Sequence, residues 1–302
     1  MRHAVAAVAL CAALPTGLMA QEVEIETAAG PASVPQAPET VAVFDLAAID
    51  ALDALGVEVD GVPDITPPAY LEEAMSGAEI VGTLFEPDFE ALAVMAPDLI
   101  VAGGRSQTQV EPLSQVAPTI DMTIWGADLV EQAQARVTAY GEIFGLSGEA
   151  EALNTALDEK IAEVSGLVEG QGKALILLAN GGKISAYGAD SRFGWLHQVV
   201  GLPQAHENLE AETHGEAVSF EFVAEVNPDW ILVIDRGAAI GQEGEAAQAT
   251  LDNPLIAGTT AAEEGQIVYL DPAPLYLAGG GIQSLSHTLD ELAAAFGEAS
   301  GS

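Results

Sequence analysis

Four arginines set most of the chemistry this sequence can do. Beyond residue 20 the chain carries Arg105, Arg136, Arg192 and Arg236 with Lys160, Lys173 and Lys183, seven cations against 46 carboxylates. A guanidinium offers a planar fork of donors and a flat face, so it can hydrogen-bond anionic oxygens and stack on aromatic rings together. Arg136 falls in a helical run. The other three fall at predicted strand ends or loops: Arg105 and Arg236 after apolar runs, Arg192 in Gly188-Ala-Asp-Ser-Arg192. Three of four at such places points to one anion site rather than to scattered surface charge.

Other site chemistries fail on their residues. The histidines beyond the first twenty residues, His197, His206, His214 and His287, are scattered, whereas a zinc site needs clustered His or Cys. His197 lies within an apolar helix and reads as structural. Gly181-Gly-Lys183 lacks the spacing and the following Ser or Thr of a phosphate loop, and no GxGxxG follows a strand. The GxSxG elbow of a serine hydrolase is absent.

Two nearly identical stretches position the arginines. Phe89 to Arg105 reads FEALAVMAPDLIVAGGR, and Phe220 to Arg236 reads FEFVAEVNPDWILVIDR. Each predicts a short helix beginning at an acid (Glu90, Glu221), a Pro-Asp break that a helix interior would not tolerate, and an apolar strand ending in arginine. Ligands of open α/β sheets bind beyond the carboxyl ends of strands. The repeat therefore predicts two α/β lobes, each presenting a cation at its rim. Trp195-Leu-His-Gln-Val-Val-Gly-Leu echoes Leu52-Asp-Ala-Leu-Gly-Val and extends the repeat.

The rest of the chain fits this frame. Val23 to Thr27 alternates and precedes a Pro-rich connection, open to an edge hairpin or a disordered leader. Strands are expected at Val41 to Leu46, Val57 to Val62 and Pro118 to Ile124, with a helix over Ala47 to Leu55 closed by Gly56, and Ile80 to Leu84 is expected to approach the rim. From Gly126 to Val168 the spacing predicts two helices broken at Gly145 to Gly148. The second lobe is expected to hold strands at Lys173 to Ala179, Lys183 to Tyr187 and Gln266 to Leu270, and a closing helix to about Phe296. The domain boundaries expected are 21–125, 126–168 and 169–302. A helical crossover resists bending, so closure on a ligand should be small.

With 302 residues, 49% of them hydrophobic and 5% aromatic, the chain has material for two packed lobes. Met1 to Ala20 reads as a secretory signal with cleavage before Gln21, which removes Cys11, the one cysteine. Leu10 is large where a lipoprotein box wants a small residue, so cleavage is favoured over lipid anchoring. No later apolar run is long enough to span a bilayer. Taking away Arg2 leaves 7 minus 46, a net charge of −39, which excludes nucleic acid as a partner.

The chain resembles the periplasmic substrate-binding proteins of ABC importers for ferric siderophores, in particular the catecholate branch. The resemblance is carried by VFDLAAIDALDALGV (Val43 to Val57), GTLFEPDFEALAVMAPDLIVAGGR (Gly82 to Arg105), GADSRFGWLHQVVGL (Gly188 to Leu202), SFEFVAEVNPDWILVIDR (Ser219 to Arg236) and YLAGGG (Tyr276 to Gly281). It implies two Rossmann-like lobes joined by a single long helix, and a monomer that binds without catalysing. Arg105, Arg192 and Arg236 match the family's arginine triad around an anionic chelate. His214 and Tyr276 match residues that complete iron coordination in some members, with aromatic packing the alternative for Tyr276. Phe193 and Trp195 are candidate pocket walls, with core packing again the alternative. Glu90 and Glu221 match the pair of exposed acids that docks on arginines of the permease. The expected function is periplasmic capture of a ferric, catecholate-type siderophore for an ABC permease, with no cofactor. The alternatives are ferric citrate, a hydroxamate chelate, haem or a cobalamin as cargo, or a chelatase-like enzyme on the same plan.

Overall fold

The computed structural model describes residues 21–126, 128–209, 214–242 and 246–300. The expected signal segment, with Cys11, lies outside them. The chain opens with the antiparallel hairpin β1 (Glu22–Thr27) and β2 (Gly30–Pro35), turned at Gly30 with φ 101°. Ile25 and Val34 are its buried apolar residues, which settles the choice between hairpin and disordered leader.

The first sheet holds β3 (Val41–Val43), β4 (Gly61–Val62), β5 (Glu79–Ile80), β6 (Leu99–Ala102) and β7 (Thr119–Asp121). Its order is β5-β4-β3-β6-β7 and every pair is parallel. The second holds β8 (Ala174–Asn180), β9 (Lys183–Tyr187), β10 (Glu216–Val218), β11 (Trp230–Asp235) and β12 (Ile267–Tyr269), in the order β10-β9-β8-β11-β12. Here β8, β11 and β12 are parallel, while β9 runs against both of its neighbours. Central strands such as LIVA and ILVI are unbroken apolar runs because helices cover both faces of a parallel sheet.

The repeated stretches fold alike. Helices Phe89–Met95 and Phe220–Val226 end at Ala96 (φ 51°) and Asn227 (φ 46°), both left-handed. The proline that follows each cannot continue a helix. The aspartate next in line then secures the neighbouring strand: Asp98 accepts from the Glu39 and Thr40 amides, and Asp229 from the Lys173 amide.

Between the sheets run helices Leu129–Phe144 and Ser147–Val168, separated at Gly145 (φ 70°) as the spacing predicts. The C-terminal helix Ile282–Ser300 packs against Ser147–Val168 and against helix Leu46–Ala54 of the first lobe. One continuous apolar cluster, from Ile25 to Phe296, includes residues of both sheets and of these helices. The lobes therefore share a core instead of hinging on exposed strands. Among the described residues no helix is long and apolar enough to cross a membrane.

Candidate functional site

Arg105 follows β6 in the short helical turn Gly104–Gln109, and Arg236 follows β11 as the first residue of helix Arg236–Ala239. Both occupy the strand-end position the repeat predicts. Arg192 differs. It follows β9, which runs against β8, and arrives on the loop ahead of helix Trp195–Gln198.

All three converge on Tyr276, in helix Pro272–Leu277 beyond β12. Its carbonyl accepts from Arg105 Nη2 at 2.9 Å and from Arg192 Nη2 at 2.9 Å. Its hydroxyl accepts from Arg236 Nε at 3.1 Å. Arg105 donates also to the Leu277 carbonyl, at 3.1 Å. The guanidinium carbons lie 4.8 Å (Arg192), 5.3 Å (Arg105) and 5.9 Å (Arg236) from the ring centroid, within cation–π range. These contacts go to a carbonyl, a hydroxyl and a ring face, none of them an anion. Each guanidinium keeps its charge and spare donors for a ligand.

A cavity of about 180 Å³ opens beside two of them, lined by Arg105, Arg192, Tyr276, His214 and Trp125, with Leu84 and Leu129 among its apolar walls; Arg236 is not among its lining residues and reaches it through the Tyr276 hydroxyl. Burial, and after it the Arg105 charge, holds the pKa of Arg192 below the ordinary arginine value. The group stays a cation, since arginine is charged throughout the accessible range. Gly279 lies beside it and makes room for the backbone: a Cβ there would clash with the Leu275 carbonyl at 2.8 Å, while Arg192 Nη2 at 3.6 Å would be in ordinary contact.

Asp45 lines the same cavity, at the N-terminus of helix Leu46–Ala54. Withdrawal from water raises its carboxyl to about 6, opposed by the Ala47 amide and the Arg105 charge. It is a site residue that the sequence reading overlooked, and its one signal is a lone acid inside an apolar run. Trp125 was missed as well. Its indole is 50% exposed on the cavity wall just beyond β7, with Arg192 5.9 Å from the ring centroid.

The remaining candidates separate. His214 is exposed and lines the cavity with Tyr276. Phe193 and Trp195, expected as possible pocket walls, are each 1% exposed and belong to the core. The pocket-wall reading is corrected to core packing: Phe193, in the turn ahead of helix Trp195–Gln198, meets Tyr187 edge-on at 4.8 Å and underlies Arg192 at 4.9 Å. Arg136, buried in helix Leu129–Phe144, donates to the Glu26 and Thr123 carbonyls and ties the hairpin down. His197 is buried, with Nδ1 2.8 Å from the Leu202 carbonyl, and burial lowers its pKa. Glu90 and Glu221 are exposed in the first turns of the matching helices. The Glu221 pKa is lowered, first by its own backbone amide and then by Ser219. Among the described residues no group of three or more His, Cys, Asp or Glu could hold a metal ion.

Residues 41–274 match the family model described as periplasmic binding protein. The petrobactin-binding protein YclQ of Bacillus subtilis is 37% identical over 263 residues, covering 86% of this chain and 83% of its own. The ferric-anguibactin-binding protein FatB of Vibrio anguillarum is 30% identical over 278 residues, 89% of this chain and 85% of its own. The crystal structure of YclQ superposes with a TM-score of 0.86, over 91% of this chain and 99% of that one, at 33% identity. That of the periplasmic catecholate-siderophore binding protein VctP from Vibrio cholerae gives 0.85, over 91% and 100%, at 30% identity.

Proposed function

This chain belongs to the periplasmic binding protein family, and from that premise we propose that it captures a ferric siderophore in the periplasm and hands it, chemically unchanged, to an ABC permease. The observation that carries the proposal is the convergence of Arg105, Arg192 and Arg236 on Tyr276 beside one cavity. A ferric catecholate offers anionic oxygens on flat rings, which suits guanidinium donors and faces alike. The relatives named for petrobactin, ferric anguibactin and catecholate siderophores support the same cargo class.

His214 and Tyr276 are the proposed iron contacts for a chelate that leaves coordination sites open. Ferric iron is a hard ion, to which a phenolate oxygen is a chemically suitable ligand, and Arg236 Nε stands ready to stabilise that charge. Glu90 and Glu221, one per lobe on equivalent helices, are the proposed contacts for cationic residues of the permease.

The test is a titration of the purified protein with a ferric catecholate, followed by quenching of tryptophan fluorescence. Replacing Arg105, Arg192 or Arg236 by Ala is expected to weaken binding by about 1.5 kcal/mol or more each, the value of a hydrogen bond to a charged group. Unchanged affinity in all three variants removes the site assignment. Replacing Glu90 and Glu221 together by Ala should leave that affinity intact and impair uptake of the chelate by cells; undiminished uptake rules out the docking role.

A further inference from the structure

A half-exposed indole on a cavity wall needs an explanation, because tryptophan is highly buried on average. Trp195 and Trp230 follow that rule at 1% and 2% exposure, while Trp125 stands at 50%. Its backbone is held in both directions by one side chain. Gln132 Nε2 donates to the Trp125 carbonyl at 2.7 Å, and the Trp125 amide donates to Gln132 Oε1 at 3.2 Å. Gln132 belongs to the first turn of helix Leu129–Phe144, whose first residue also lines the cavity. The loop is thus fixed to a rigid element, and the indole is presented rather than left to fold away.

Arg192 sits among three rings, at 4.8 Å from Tyr276, 4.9 Å from Phe193 and 5.9 Å from Trp125. The third distance is the outer limit of a cation–π contact, so the indole face is the one of the three that is least engaged. Phe193 is closed off in the core, which leaves Trp125 as the open apolar face next to that guanidinium.

We infer that Trp125 is a stacking face for one aromatic ring of the ligand, and that Gln132 is its positioning residue; this rests on the siderophore reading of the cavity. The guanidiniums would take the anionic oxygens and the indole the ring that bears them. Such a site favours ferric complexes of aromatic chelators over those of aliphatic carboxylates.

Two probes separate the possibilities, the ferric complex of 2,3-dihydroxybenzoate and ferric citrate, titrated by calorimetry so that loss of a fluorophore does not obscure the result. Trp125→Ala is expected to raise the Kd of the aromatic complex about tenfold, the scale of an aromatic pair, and to leave any ferric citrate affinity unchanged. Trp125→Phe should retain most of the aromatic affinity. Gln132→Ala should lower the preference for the aromatic probe with no change in its response to Arg105→Ala. Equal losses in Trp125→Ala and Trp125→Phe, or equal losses for both probes, overturn the stacking role. So does full aromatic affinity in Trp125→Ala while the arginine variants are impaired, a result that leaves the capture proposal standing. Failure of the unaltered protein to bind the aromatic complex defeats the capture proposal itself.

Discussion

Tyr276 acts through its main chain and its side chain separately. Arg105 and Arg192 are bonded to its carbonyl, and only Arg236 to its hydroxyl. Tyr276→Phe should therefore leave two arginines in place and disturb one. The expected loss of affinity for a ferric catecholate is about 1 kcal/mol, smaller than for any of the arginine-to-Ala variants. If the hydroxyl also binds iron, a phenolate-to-iron absorption band of the wild-type complex should be missing from the Phe variant. A spectrum identical in both proteins would assign the hydroxyl to holding Arg236 alone. The arginines were legible in the sequence because guanidiniums are scarce here and their neighbours mark strand ends. The hub that gathers them was not, since every residue has a carbonyl and nothing in a sequence says which will face two cations. Trp125 was hidden for a related reason, its position just past a short strand giving no sign of exposure. Phe193 and Trp195 are the opposite case, aromatics adjacent to a site arginine for which the structure takes the second of the two readings the sequence left open, core packing.

The helices Leu46–Ala54 and Ile282–Ser300 meet through one carboxylate. Asp50 accepts from the Gln283 amide at 2.8 Å, the Ser284 amide at 2.9 Å and the Tyr70 hydroxyl at 2.6 Å, and its side chain is fully buried. It occupies the N-terminal end of the C-terminal helix, where free amides need acceptors. Gly281 is required beside it, because any Cβ there would strike the Asp50 carboxyl. Asp50→Ala would leave three donors without their acceptor and is expected to cost about 3 kcal/mol or more, read as a lower urea midpoint. An unchanged midpoint would mean that the junction contributes nothing. The pH dependence has a definite sign. Burial raises the Asp50 carboxyl from 3.8 to about 7, so the folded protein keeps a proton that the unfolded chain releases. The contribution to stability is fully present below 3.8 and is lost as pH rises through about 7. Asp50→Asn, neutral throughout, should flatten that slope. At this scale the sequence was more informative, since capping residues, Pro-Asp breaks and apolar runs are local. β9 was read to its residue limits, whereas β4 shrank to Gly61–Val62 and β10 was not anticipated, because such short strands are defined by pairing with partners distant in sequence.

Taken whole, the molecule sets two electrostatic fields against each other. The formal charge is −38 across 302 residues, while two cations, Arg105 and Arg192, line a single cavity and a third, Arg236, stands behind them on Tyr276. An anionic chelate approaching from solution meets the acidic surface first and the arginines last. At about 0.01 M salt the screening length is about 30 Å, so the approaching ligand feels the carboxylates of the entire surface; at 0.15 M it is about 8 Å, and only groups lining the cavity reach it. The repulsion acts mainly on the encounter, because the bound ligand lies within a few ångströms of guanidiniums that salt screens much less. Association of a ferric catecholate should therefore accelerate as salt rises through this range, with dissociation changing far less, measured by stopped-flow fluorescence. This is opposite to the usual pairing of oppositely charged partners, in which salt slows the encounter. An association rate that falls with added salt would mean that the arginine field extends beyond the cavity mouth and outweighs the acidic surface even at a distance.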